Sequence, residues 1–133
     1  MKNGAWRATA AAVALLWLTG CSPPPASTED VTVWQPRGTW SGRGSQQTDP
    51  FISSTGLLRL TWGTRGASTG AFKIVVHSDV SGRPLLTAVD TRGPGQDVTY
   101  VTEDPRAFFL VIESDELEWT IAVAEGLPGT RTQ

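Results

Sequence analysis

Apolar and polar residues alternate with a period of two through most of the chain after residue 30, and that rhythm confines it to β-structure. Leu58, Leu60 and Trp62 share one face, while Leu57, Arg59 and Thr61 share the other. Phe72, Ile74 and Val76 alternate in the same way with Ala71, Lys73, Val75 and His77. Leu117, Trp119, Ile121 and Val123 alternate with Glu118, Thr120, Ala122 and Ala124. Successive side chains of a strand point to opposite faces, so each run reads as a strand with one buried side. Residues 107–114 are apolar on both faces, as a central strand or an interface strand would be. Further strands are expected around residues 31–34, 38–41, 49–53, 84–91 and 97–102. The segments SDVSGRP, TRGPGQ, TEDPR and SDE supply turns between them. No helical stripe with a cap follows the first twenty residues. Seven to nine short strands predict an all-β fold, an antiparallel two-sheet sandwich over residues 31–126 with a short tail at 127–133. Trp62 and Trp119 are expected in its core, with Trp34 and Trp40 better exposed.

The first thirty residues follow other rules. Lys2 and Arg7 precede an apolar stretch from Ala8 to Thr19 that is 12 residues long. A spanning helix needs about 20 apolar residues, so residues 1–20 read as an export signal. The signal ends in Leu18-Thr19-Gly20-Cys21, and Cys21 is the single cysteine of the chain. This tetrapeptide resembles the lipobox of bacterial lipoproteins. The resemblance implies a diacylglyceryl thioether on Cys21, cleavage before it, and often a further acyl chain on the new amino terminus. Two chains anchor a protein stably where one does not. The mature protein is then expected on the outer face of the cell membrane, or on the outer membrane of a two-membrane organism. Residues 22–30, SPPPASTED, read with Cys21 as a spacer of prolines and small polar groups.

The segment from Trp40 to Phe51, with Leu58–Trp62, Phe72–Val76, Phe108–Ile112 and Trp119–Val123, resembles small exported β-sandwiches of the CUB-like or jelly-roll kind. That likeness spans about residues 34–125 and implies architecture alone. No catalytic residue comes with it.

Charge narrows the function classes. Eleven basic and 13 acidic residues give a formal net charge of −2, which lacks the basic footprint of a nucleic-acid binder. One cysteine rules out an intramolecular disulfide. Gly66-Ala67-Ser68-Thr69-Gly70 matches G-x-S-x-G, but it lies between two expected strands rather than at a strand-to-helix turn. His77 is the only histidine, so any serine triad would need it as base. It reads as a surface or sheet-edge residue, since zinc takes three or four ligands and the chain has one histidine and one cysteine. Glu103, Asp104, Glu113, Asp115, Glu116 and Glu118 lie near turns without the alternating pattern of a dedicated calcium loop, and read as solvated turns that protect sheet edges. No metal or cofactor is expected. Trp40 beside the Gly-rich segment, Arg43 of the segment 41–47 and Arg65 of the loop 63–70 are the candidate ligand-binding residues. The functional expectation is therefore a membrane-tethered, non-catalytic interaction or structural module of the cell envelope with a protein or glycan partner. The alternative is a glycan- or small-ligand-binding module of the cell surface.

Overall fold

The computed structural model describes residues 20–21 and 28–132. The expected export signal and most of the spacer lie outside the described residues. Nine strands make up the fold: β1 (Thr28–Arg43), β2 (Gln46–Gln47), β3 (Phe51–Ser53), β4 (Leu57–Arg65), β5 (Ala71–Ser78), β6 (Pro84–Arg92), β7 (Gly95–Thr102), β8 (Arg106–Ser114) and β9 (Glu118–Thr132). They form two antiparallel sheets. Sheet A has the order β1-β9-β4-β7, and sheet B has β2-β8-β5-β6 with β3 on the same edge of β8 as β2. The expected all-β antiparallel sandwich is the fold.

The pairing is nested. β1 pairs with β9, β2 and β3 with β8, β4 with β7, and β5 with β6. A long hairpin folded back across two sheets gives this arrangement, which is jelly-roll winding. The period-two runs carry the core between the sheets. Leu58, Leu60 and Trp62 of β4 meet Trp119, Ile121 and Val123 of β9, and opposite them lie Phe72, Ile74 and Val76 of β5 with Phe108, Leu110 and Ile112 of β8; all are buried. The Trp62 and Phe72 rings pack across the sandwich at 5.5 Å. Both core tryptophans find acceptors for their indole N–H, Trp62 at Thr99 Oγ1 (3.1 Å) and Trp119 at the Gly44 carbonyl (2.9 Å).

Three local features depart from the sequence expectation. The segments expected as two strands at 31–34 and 38–41 are one strand, β1, with a register shift between Pro36 and Gly38 that leaves Arg37 as the bulged residue. β1 starts at Thr28, within the expected spacer, and β9 continues to Thr132, through the expected tail; Thr28 pairs with Thr132. This two-stranded extension has mostly exposed side chains, so no burial rhythm marked it. Residues 49–53 yield only the short β3, and β2 was not anticipated. Between them Thr48 keeps β8 satisfied: its amide donates to the Leu110 carbonyl (2.9 Å) and its hydroxyl accepts from the Leu110 amide (2.9 Å).

β8, expected to be covered on both faces, is flanked in sheet B by β5 and by β2 and β3. Its outward Phe109 is 9% exposed because the His77 ring stacks on it at 4.9 Å.

Candidate functional site

Small side chains run along the outer face of sheet A. On the central strands β9 and β4 this face presents Ala124, Ala122, Thr120, Thr61 and Gly63 as register neighbours, with Arg59 opposite Ala124. The edge strands carry Thr39 and Ser41 on β1, and the longer Gln96, Val98 and Tyr100 on β7. The face between them is a shallow groove. It contains depressions of about 600 Å³ and 480 Å³ that share Gly63, Gln96 and Thr120. A third, of about 180 Å³, shares Thr39, Thr61 and Ala122 with the second. Hydroxyls, the Gln96 amide and apolar groups such as Ala122 and the edge of Trp62 line it, and all three depressions are open.

Its two ends differ. At one end Glu118 pairs in register with Arg43 of β1 and with Arg65 of β4. Arg65 Nη2 donates to Glu118 Oε2 at 3.0 Å, and Arg43 Nε donates to the Glu116 carbonyl at 3.2 Å. These groups are exposed, so the ion pair holds them loosely. At the other end Trp34 and Tyr100, from opposite edge strands, meet with ring centroids 5.7 Å apart. The Arg59 guanidinium carbon lies 4.7 Å from the centre of the Trp34 ring. Gly126, opposite Trp34 on β9, is covered by the Leu57 and Thr32 side chains. Tyr100 remains 62% exposed.

The candidate residues separate accordingly. Arg43 and Arg65, far apart in sequence, lie together at the open end of the groove. Trp40 does not join them. Its register partner is the buried Ile121, so its ring faces inward, packs on Phe51 at 5.7 Å and covers Gly38. Trp34, half-buried on the outer face, stands against Tyr100 beyond the depressions, whose linings include Trp119 and Trp62. Cys21 is an exposed free cysteine.

The serine motif loses its base. Ser68 lies in the loop before β5 and His77 near the far end of that strand. The extended part of β5 from Ala71 to His77 alone spans roughly 20 Å. His77 Nδ1 sits 3.1 Å from the Gly82 carbonyl, in the turn after β5. Among the described residues no three His, Cys, Asp or Glu side chains converge as a metal site would require.

One charged cluster escaped the sequence reading. Glu125, fully buried on β9, receives Arg37 from the β1 bulge: Arg37 Nε lies 2.6 Å from Oε2, and Nη2 pairs with the same oxygen. Its Oε1 accepts from Ser53 Oγ (3.0 Å), Ser54 Oγ (2.9 Å), the Thr55 amide (2.8 Å) and Thr55 Oγ1 (3.2 Å). Burial by itself pushes the carboxyl up. Arg37, Ser54, the Thr55 amide and Ser53 together outweigh it and bring the carboxyl down to about 2. The period of two does place residue 125 on the inward face with Trp119, Ile121 and Val123, and that was the available signal. All six donor contacts on this carboxylate come from the protein, so it is a structural clasp between β1, the β3–β4 turn and β9. No known protein-family model matches the chain, and no curated protein matches it either.

Proposed function

We propose that this protein is a lipid-anchored component of the bacterial cell envelope, and that its sandwich is a non-catalytic module binding an extended glycan in the groove on sheet A. The observation that carries the reading is the groove itself: an open trough across the sheet face, floored by small residues and hydroxyls and flanked by an exposed tyrosine. Sugar chains present many hydroxyls and flat ring faces, which hydrogen-bonding walls and exposed aromatic rings accommodate. A protein partner is anchored in enclosed, fully desolvated pockets, and this groove is open along its length. The lipobox-like Leu18-Thr19-Gly20-Cys21 supports attachment at Cys21, which is exposed and ahead of β1.

Titration with cell-wall polysaccharides tests the reading. Trp62 and Trp119 border the depressions, so occupancy should change tryptophan emission. Thr120→Trp fills the middle of the trough from a solvent-facing position and should abolish the response while leaving the melting temperature within a few degrees. A flat response across a broad panel of glycans, or a response that persists in Thr120→Trp, refutes the assignment. For the anchor, Cys21→Ser should move the protein from the membrane fraction to the soluble fraction, or leave the signal uncleaved. Intact mass should show loss of the lipid increment. Wild-type protein without lipid would end the anchor proposal.

A further inference from the structure

Arg59 is the side chain in the groove whose bonding is incomplete. It stands on the outer face of β4, half-buried, where its neighbours in register are Tyr100 and Ala124. Its Nε is buried and has no hydrogen-bond partner. Other arginines are engaged: Arg37 with Glu125, Arg65 with Glu118, Arg106 with Asp104, Arg43 with the Glu116 carbonyl, and Arg92 with the Thr69 carbonyl. The contact that holds Arg59 is with the Trp34 ring. A buried donor without an acceptor is costly and is rare in folded proteins, so a native one calls for an explanation.

We infer that Arg59 is the docking point for a carboxylate on the bound glycan, so that the ligand is an acidic polysaccharide; this rests on the groove reading above. A guanidinium laid against an aromatic ring keeps its planar edge free and oriented, and that edge matches a carboxylate with two parallel hydrogen bonds. Because Nε is buried, the edge open to such an acceptor is that of the two Nη atoms. Tyr100 beside it offers a flat ring to the sugar that carries the acid group. At the far end of the groove Arg43 and Arg65 stand with Glu116 and Glu118, two cations against two carboxylates, whereas Arg59 forms no ion pair among the described residues. Six residues of β4 separate Arg59 from Arg65, roughly 20 Å. The open trough that runs on from Arg59 over that length has room for a chain of sugars carrying acid groups, more than a single small anion would fill.

The test uses the full chain purified in detergent and four probes: polygalacturonate, its fully methyl-esterified form, a polyglycerol phosphate, and polyglutamate. Polygalacturonate should bind, more weakly as salt rises. Methyl esterification should weaken binding by about tenfold or more, the usual scale for loss of a charge-assisted pair. Arg59→Met should do the same with an unchanged melting temperature. Arg59→Lys, which keeps the charge and loses the fork, should lose several-fold. Equal binding of the acid and its ester, unaffected by Arg59→Met but abolished by Thr120→Trp, overturns the acid anchor and leaves the glycan groove standing. Preference for polyglycerol phosphate overturns the carboxylate. Polyglutamate binding as well as polygalacturonate overturns the glycan as ligand. Binding of the acid that survives Thr120→Trp, or no binding of any of the four, overturns both the anchor and the groove.

Discussion

Glu125 shows how much a single residue can hold. A carboxylate withdrawn from water is tolerated only when its lone pairs are satisfied, and here one arginine, three hydroxyls and an amide do so. Because its carboxyl sits at about 2 in the fold, against an ordinary value of 4.5, the folded protein binds this proton less readily than the unfolded chain. The associated stability is therefore complete above the unfolded value and is lost as the pH falls from about 4.5 through 2. It amounts to about 3 kcal/mol by linkage. Urea melts at a series of pH values should show that loss. Arg37→Met removes the largest lowering contribution and leaves a buried charge underpaired, so it should cost about 3–5 kcal/mol at neutral pH. It should also move the onset of acid unfolding to higher pH, and an onset unchanged from wild type would contradict this account of the cluster.

At the level of elements, β1 is one strand because its bulge is useful. The extra residue, Arg37, turns its side chain inward to Glu125, while Pro36 and Gly38 resume pairing on either side of it. Sequence inspection divided this strand at the proline and glycine, which ordinarily end strands. Loop geometry is set by similar close contacts. Leu117, fully buried just before β9, closes the β4–β5 loop, and a Cβ at either Gly66 or Gly70 would come within 2.8 Å of its Cδ2. Leu117→Ala should thus destabilise by about 2–5 kcal/mol in denaturant melts. The other tight turn is at Gly56, with φ +74°, where a Cβ would collide with the Glu103 carbonyl. Gly56→Ala combines a strained backbone with an overlap and should cost about 3 kcal/mol or more, read from the same melts.

For the molecule as a whole, nested pairing has a functional consequence. Bringing β9 between β1 and β4 places the smallest outward residues of the chain in the middle of sheet A, with Trp34 on one edge strand and Tyr100 on the other. The groove is therefore a product of strand order. It also unites Arg43 and Arg65, whose association was an expectation from loop composition, on either side of Glu118. Trp40 was grouped with them by proximity to Arg43 in sequence. A spacing of three residues along a strand puts two side chains on opposite faces, which is why it turned inward instead.

The alternation of apolar and polar residues determined the fold class and most of the core without help, because burial on one face of a strand is a local demand with a local signature. Glu125 obeyed that same parity, yet its identity as a satisfied charge depended on Arg37, Ser53, Ser54 and Thr55 arriving from two other elements. The groove, and Arg59 without an acceptor inside it, likewise have no trace in any single segment. Strand order and register decided them, since those depend on pairings between residues as distant as Thr28 and Thr132.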